Sequence, residues 1–490
     1  MPRLADALGA PLIFEQGRPG RANAYLPHRD ERADTYLPQA LLRDDLPLPD
    51  NSELDVVRHF TRLSQRSFGI DVGFYPLGSC TMKYNPRIND AMASLPGLRD
   101  LHPFAPDDLA QGALAIMWEL ERALSSLFGM AAFSLNPAAG AQGELAALLI
   151  AKAHFRKRGE SHRKTVIVPD TAHGTNPASA AMVGYHVISL QSDARGRVDP
   201  SKVREAVSDA TAVCMMTNPN TLGLFEDRIA EIAEIVHGAG GLMYYDGANA
   251  NALMGNSRPG DMGFDLMHLN LHKTFSIPHG GGGAGAGPLG VAAHLVDFLP
   301  VPVVREHDGL FSLDFDVVST VGPMRSFWSN FAHMVRALAY ICANGAEGLT
   351  RVSQLAVLNA NYVRSKLHDV LEMPYDEPCR HEFVASAQTL KHETGVRALD
   401  IAKALLDRGY HAPTMYFPLI VPECLMIEPT ETESKETLDG FIEAMREIVR
   451  QAREDPAAVK AAPVETVVGR VDETRAAREP NLRWSPNAAG

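Results

Sequence analysis

Between Thr165 and Leu271, five short apolar runs alternate with segments of helical periodicity: Thr165–Pro169, His186–Leu190, Ala212–Thr217, Leu242–Tyr245 and Leu266–Leu271. Strands that are apolar on both faces, linked by helical crossovers, predict a largely parallel sheet covered on both sides. Asp199-Pro200 predicts a helix start with proline at the first helical position, and Asp227 is expected to cap Arg228–His237, which Gly238 ends. Upstream, Leu109–Phe128 sets Leu, Ile, Met and Trp118 on one helical face and stops at Gly129. In open α/β sheets the ligand sits beyond the carboxyl ends of the strands. The chemistry should be found there.

The last run leads into NLHKTFSIPHGGGG, which places Lys273 just past a strand end. Desolvation disfavours an ammonium, so a lysine at the mouth of a buried strand tends toward the neutral, nucleophilic amine that holds pyridoxal phosphate (PLP) as a Schiff base. An ordinary surface lysine is the alternative. Tyr244-Tyr245-Asp246-Gly247-Ala248 ends another run with an acid, suited to pairing with a protonated pyridine nitrogen, though an acid there can equally cap a turn. Asp170-Thr171-Ala172-His173 puts a histidine after a third run, able to stack on a ring or move protons, or simply structural. Asn136-Pro137-Ala138-Ala139-Gly140-Ala141-Gln142-Gly143-Glu144 opens an Ala/Leu-rich helix whose free N–H groups suit a phosphate, or are merely a helix start. Phosphate loop, histidine, acid and lysine follow one another as in the large domain of fold-type-I PLP enzymes.

A chain of 490 residues divides naturally into two or three units. The expected organisation is an extended N-terminal arm over 1–65, a large α/β domain over 66–345, a smaller α+β domain over 346–455 and a tail over 456–490. In the smaller domain, helices are expected at Val352–Leu371, Ala398–Arg408 and Ser434–Arg453, with strands at His381–Ala387 and Leu425–Glu428. A net charge of −13 argues against nucleic acid as a partner. No apolar run reaches the roughly 18 residues of a membrane span, and MPRLADALGAPLIFEQ lacks the apolar core of a signal peptide. The five cysteines are scattered, with no C-x-x-C, so a reduced cytoplasmic protein without a metal site is expected.

The strings PLGSCTMKYNP, NPAAGAQGE, AHGTNPASA, YYDGANANA, NLHKTFSIPHGGGG and YFPLIVPECLMIEPTETESKETLD resemble the P-protein family of the glycine cleavage system. The similarity extends from LIFEQGRPGRANAYLP to VDETRAAREPNLRW, and lies with the PLP-carrying second subunit of the split bacterial form. It implies decarboxylation of glycine and transfer of the aminomethyl group to the lipoyl arm of H-protein, with the homologous first subunit as partner, two of each. It implies Lys273 as the Schiff-base lysine, Asp246 as partner of the ring nitrogen, His173 and Ala248 on the two ring faces, and Gly140, Ala141 and Gln142 at the phosphate. Thr175, Asn218 and His272 are neighbouring candidates. Ser79, Cys80 and Thr81 are candidates for the substrate entrance, with a structural loop as the alternative. Arg325 and Arg380 are candidates for the glycine carboxylate. STVGPMRSFWSN at 319–330 departs from the family's usual SIGRVS-like string, which leaves contacts there undefined.

Three rivals stand beside this expectation. The chain could be another fold-type-I enzyme acting on a small amino acid, or a non-catalytic subunit using the same scaffold. Gly285-Ala286-Gly287-Pro288-Leu289-Gly290 also fits G-x-G-x-x-G, but no apolar strand precedes it and Pro288 falls inside the turn, which argues against a nicotinamide site.

Overall fold

Seven strands form the central sheet of the computed structural model, which describes residues 11–21, 38–42, 48–280 and 283–482. They are β1 (Ala132–Ser134), β2 (Thr165–Pro169), β3 (His186–Leu190), β4 (Thr211–Met216), β5 (Leu242–Gly247), β6 (Leu266–Leu269) and β7 (Leu289–Val291). Their order is β1-β7-β6-β5-β4-β2-β3, with β2 to β6 paired in parallel and β7 antiparallel to both neighbours. Strands β4, β5 and β6 are buried along their whole length, as expected of strands sandwiched between helical layers. Edge strand β3 is exposed along His186–Ser189. One apolar core on each face of the sheet, around Phe128 and Met267 on one side and Leu148 and Tyr244 on the other, holds the layers together.

The structure modifies several sequence expectations. Strand β6 stops at Leu269, because Asn270 turns the chain into the single helical turn Leu271–Thr274 that carries Lys273. Strands β1 and β7, three residues each, carry too little periodicity to be recognised alone. The Gly285–Gly290 segment leads into antiparallel β7 and opens no helix, so the dinucleotide geometry is absent there. Asp199 caps its helix through the Ser201 N–H, whereas Asp227 precedes the N-cap Arg228 and pairs with Arg195 at 3.1 Å. The helix after it runs Ile229–Gly238 from Arg228.

A hairpin, β8 (Val303–His307) and β9 (Leu310–Asp314), follows the sheet. Helical residues Phe331–Leu367 then cross to the C-terminal region, interrupted at Gly345, whose φ of 63° breaks the helical run. There β10 (Phe383–Ser386), β11 (Thr414–Met415) and β12 (Cys424–Ile427) form a three-stranded antiparallel sheet, covered by Ala398–Leu406 and Lys435–Glu454. Ser434 caps the last of these through the Thr437 N–H.

The arm is not extended throughout. It includes helix Glu53–Ser64, started by reciprocal capping between Ser52 and Asp55, while 1–10, 22–37 and 43–47 lie outside the described residues. The tail likewise forms short helices Pro456–Ala461 and Glu473–Arg478, the first anchored by buried Val459.

Candidate active site

The parallel register sets Asp246 of β5 beside His268 of β6. Asp246 is 2% exposed; its Oδ1 accepts the Ala248 N–H at 3.0 Å and lies 3.6 Å from His268 Nε2. His268 is fully buried, burial lowers its pKa, and its Nδ1 meets the Tyr244 hydroxyl behind it. Its Nε2 has no hydrogen-bond partner among the described residues. An acid this enclosed needs a positive partner on its open side.

Five residues beyond His268, Lys273 is half-buried, and its Nζ donates to the Ser79 carbonyl at 2.6 Å. Ser79 and Thr81 carry positive φ, 63° and 49°, a conformation L-residues hold only under constraint. The constraint is visible: Ser79 N–H donates to Glu382 Oε2 at 2.7 Å, and Thr81 N–H to Glu428 Oε2 at 3.0 Å. Cys80 lies between them, its thiol pushed up by burial against the opposing Lys273 charge.

The helix Gly140–Lys157 begins after Ala139 with no side-chain cap. Gln142 N–H and Gly143 N–H both donate to the Ala139 carbonyl, which leaves the amides of Gly140 and Ala141 at the open end. Close packing demands glycine here: a Cβ at Gly143 would lie 2.8 Å from His268 Cβ and 2.9 Å from the Gly287 carbonyl, and one at Gly140 would collide with Asn270 Oδ1. The Gln142 side chain is engaged within the fold, accepting from Ala138 N–H at 2.6 Å and donating to the Met324 carbonyl at 2.8 Å. The 319–330 segment thus wraps this helix start, adding Met324 N–H to Asn136 Oδ1 at 2.7 Å and Ser329 Oγ to the Pro137 carbonyl at 3.2 Å.

His173 is solvent-accessible, 5.5 Å from the Phe417 ring, and its Nδ1 contacts Thr175 Oγ1 at 3.3 Å. Burial lowers its pKa, Asp246 opposes this and Lys273 adds to it, so these three groups share one electrostatic neighbourhood. Thr175 also donates to Glu144 Oε1 at 2.8 Å. Burial and the Asp246 charge push the Glu144 carboxyl well above the usual carboxylate range. His272 packs edge-on to His279, and burial pushes it down to about 3.

Three other sequence candidates, Asn218, Arg380 and Arg325, occupy different settings. The Asn218 side chain is held by the scaffold, accepting from Glu226 N–H at 3.0 Å. Arg380 stacks on Phe225 at 5.3 Å and lines a surface cleft with Ala252 and Asn256. Arg325 is half-buried in the 319–330 segment. Sequence reasoning gives no role to Glu144, His268, Glu382 or Glu428. Glu144 stood in plain view inside NPAAGAQGE, but the other three take their meaning only from strand register.

These residues fit pyridoxal phosphate on the structure's own terms. Asp246 is a buried carboxylate open to a cation, Lys273 offers an amine, and a helix start presents uncapped amides where glycines keep side chains out. Sheet order and site together define the α/β fold of PLP-dependent fold-type-I enzymes. In line with this, residues 139–284 match the aminotransferase class-V family, and residues 352–466 match the glycine dehydrogenase C-terminal domain.

The chain belongs to the glycine dehydrogenase (decarboxylating) subunit 2 family. It is 55% identical to the probable subunit 2 of Caldanaerobacter subterraneus subsp. tengcongensis, over 97% of this chain and 98% of that one. It is 54% identical to the corresponding protein of Halalkalibacterium halodurans, over 96% of this chain and 98% of that one. A solved glycine decarboxylase (P-protein) of the glycine cleavage system, in inhibitor-bound form, shares the fold with a TM-score of 0.73 at 23% identity, covering 86% of this chain and 95% of that chain.

Proposed function

We propose that the chain catalyses PLP-dependent decarboxylation of glycine and passes the aminomethyl group to the lipoyl disulfide of H-protein, releasing carbon dioxide. The observation that carries this reading is the convergence of Asp246, His173 and Lys273 at the strand ends of a chain 55% identical to a subunit 2 relative over nearly its full length. Lys273 would hold the cofactor's aldehyde, Asp246 its ring nitrogen, His173 and Ala248 its two faces, and the Gly140 and Ala141 amides its phosphate. When bound, PLP supplies the electron sink that decarboxylation requires.

The chain's own groups do the rest. The Ser79 carbonyl fixes the direction of the Lys273 amine. The buried Asp246 carboxylate favours a proton on whatever nitrogen meets it. Near neutrality the lowered His173 is a ring able to accept a proton at its accessible face.

The same reading assigns residues 66–345 to a large cofactor-binding domain and 346–455 to a smaller C-terminal domain. It pairs the chain with a homologous subunit 1, two of each, with 1–65 and 456–490 as reaching segments. It places the protein in the cytoplasm; no helix among the described residues is long and apolar enough to cross a membrane. Borohydride reduction of the PLP-loaded protein, followed by peptide mapping, should mark Lys273. Exchange of labelled bicarbonate into glycine should then require subunit 1 and lipoylated H-protein together. Labelling elsewhere, or exchange indifferent to H-protein, would refute the proposal.

A further inference from the structure

Glu382 immediately precedes β10 and Glu428 immediately follows β12. The two strands pair antiparallel with Phe383 opposite Ile427, so the acids face each other one step beyond the ladder. Carboxyl oxygens of both, and a ring nitrogen of His381, lie within 4.8 Å of one another. Glu428 is 0% exposed and Glu382 3%. Two carboxylates this close in so dry a place cannot both be ionised.

Their hydrogen bonds distinguish them. Glu428 accepts from Thr81 Oγ1 at 2.8 Å, Asn249 Nδ2 at 2.9 Å and Thr81 N–H at 3.0 Å. Among the described residues Glu382 accepts only the Ser79 N–H, at 2.7 Å, and its Oε1 is 3.6 Å from His381 Nε2. Three donors favour the anion at Glu428, and scarcity of donors favours the acid at Glu382. His381 supplies no countercharge: burial pushes it down to about 3, and neither ring nitrogen has a partner among the described residues. The cation facing the pair is Lys273, whose charge acts on both acids. The other titratable groups there, Cys80, Cys379 and Cys424, are thiols whose pKa values are raised by burial.

We propose that Glu382 and Glu428 share one proton, resting on Glu382, and that this pair positions the Ser79–Thr81 turn so that the Ser79 carbonyl holds the Lys273 amine. The turn is clamped at two amides from the C-terminal sheet, and its intervening carbonyl points to the lysine. A second negative charge at Glu382 would repel Glu428 and loosen the clamp. Glu382 and Glu428 are positioning residues, and their effect on turnover rests on the function proposed above. The shared proton itself does not.

The test begins with the full-length chain free of cofactor. Infrared spectra of wild type minus Glu382→Gln at neutral pH should show the carbonyl stretch of one protonated carboxylic acid, replaced by carboxylate bands as pH rises. If E382Q does not accumulate as folded protein, Glu382→Met, neutral and of similar length, takes its place in the subtraction. In the loaded enzyme with its partners, E382Q turnover should stay level into the alkaline range where wild-type turnover falls. Glu428→Gln, whose amide would face the Thr81 N–H, should lower kcat by about tenfold or more at every pH. Carboxylate bands in the subtraction at neutral pH would overturn the proposal. So would a stoichiometric divalent cation released from wild type but missing from E428Q. A normal acid band with unchanged turnover profiles would leave the proton in place and remove the positioning role. Loss of the band would count against the pair and leave the glycine reaction untouched.

Discussion

Asp246 and His268 occupy paired positions on adjacent parallel strands, with Asp246 Oδ1 3.6 Å from His268 Nε2 and the Tyr244 hydroxyl on the far side of the ring. The acid is therefore backed by a buried histidine that is itself held by a tyrosine. Asp246→Asn should keep the fold and lower kcat by about 10²–10⁴. Tyr244→Phe, which removes one hydrogen bond from the ring, should cost about tenfold or less. Steady-state kinetics on the reconstituted system measures both.

Replacing Lys273 by Ala should reduce turnover by at least about 10³-fold, while the melting temperature changes by only a few degrees. The visible absorbance that wild type develops with PLP should be absent from K273A. A retained band would mean that another amine carries the aldehyde.

Gly143 tolerates no side chain. An added Cβ meets His268 Cβ at 2.8 Å and the Gly287 carbonyl at 2.9 Å, so Gly143→Ala should cost about 1–3 kcal/mol of overpacking, against a helix-propensity gain of about 1 kcal/mol. Because His268 is what moves, turnover should fall along with the melting temperature. A more stable, fully active G143A would contradict this packing.

Acid should destabilise the protein through buried histidines. His272 and His381 fall from 6.5 to about 3 in the folded chain, both chiefly through burial. Between those values the unfolded chain binds protons that the folded chain does not, so stability rises with pH across the interval. Their contribution is complete above 6.5 and is lost as pH drops toward 3. Denaturant melts at a series of pH values should show this slope, and His381→Leu should flatten it.

Lys83 forms a second buried cation site, paired with Glu431 at 2.8 Å with side chains 1% and 6% exposed. It also donates to Asn251 Oδ1 at 2.9 Å. Lys83→Met strands a buried carboxylate and should cost about 3–5 kcal/mol, part of it recovered in K83M/E431Q. Urea melts of the single and double variants test this.

The sheet was readable because the fully buried strand Thr211–Met216 carries an unbroken apolar run from Ala212 to Met216. Lys273 and Asp246 stood out as candidates because each sets a charge at the end of an apolar run. What escaped notice depends on partners distant in the chain. The three-residue strands β1 and β7 become strands only by pairing with each other and with β6. Glu382 and Glu428 look like ordinary flanking acids until the register sets them face to face. Asp227 had the right residue type for a helix cap, but Arg195 offered it a charged partner. The Ser52–Asp55 capping box was legible in the sequence all along, hidden by the proline-rich surroundings that suggested an extended arm.

The group that grips the Lys273 amine is a peptide oxygen, that of Ser79. Alanine substitution at Ser79 or Cys80 therefore leaves the acceptor in place whatever side chain it deletes. A change of side chain at position 79 is invisible to the lysine as long as the main chain keeps its left-handed bend.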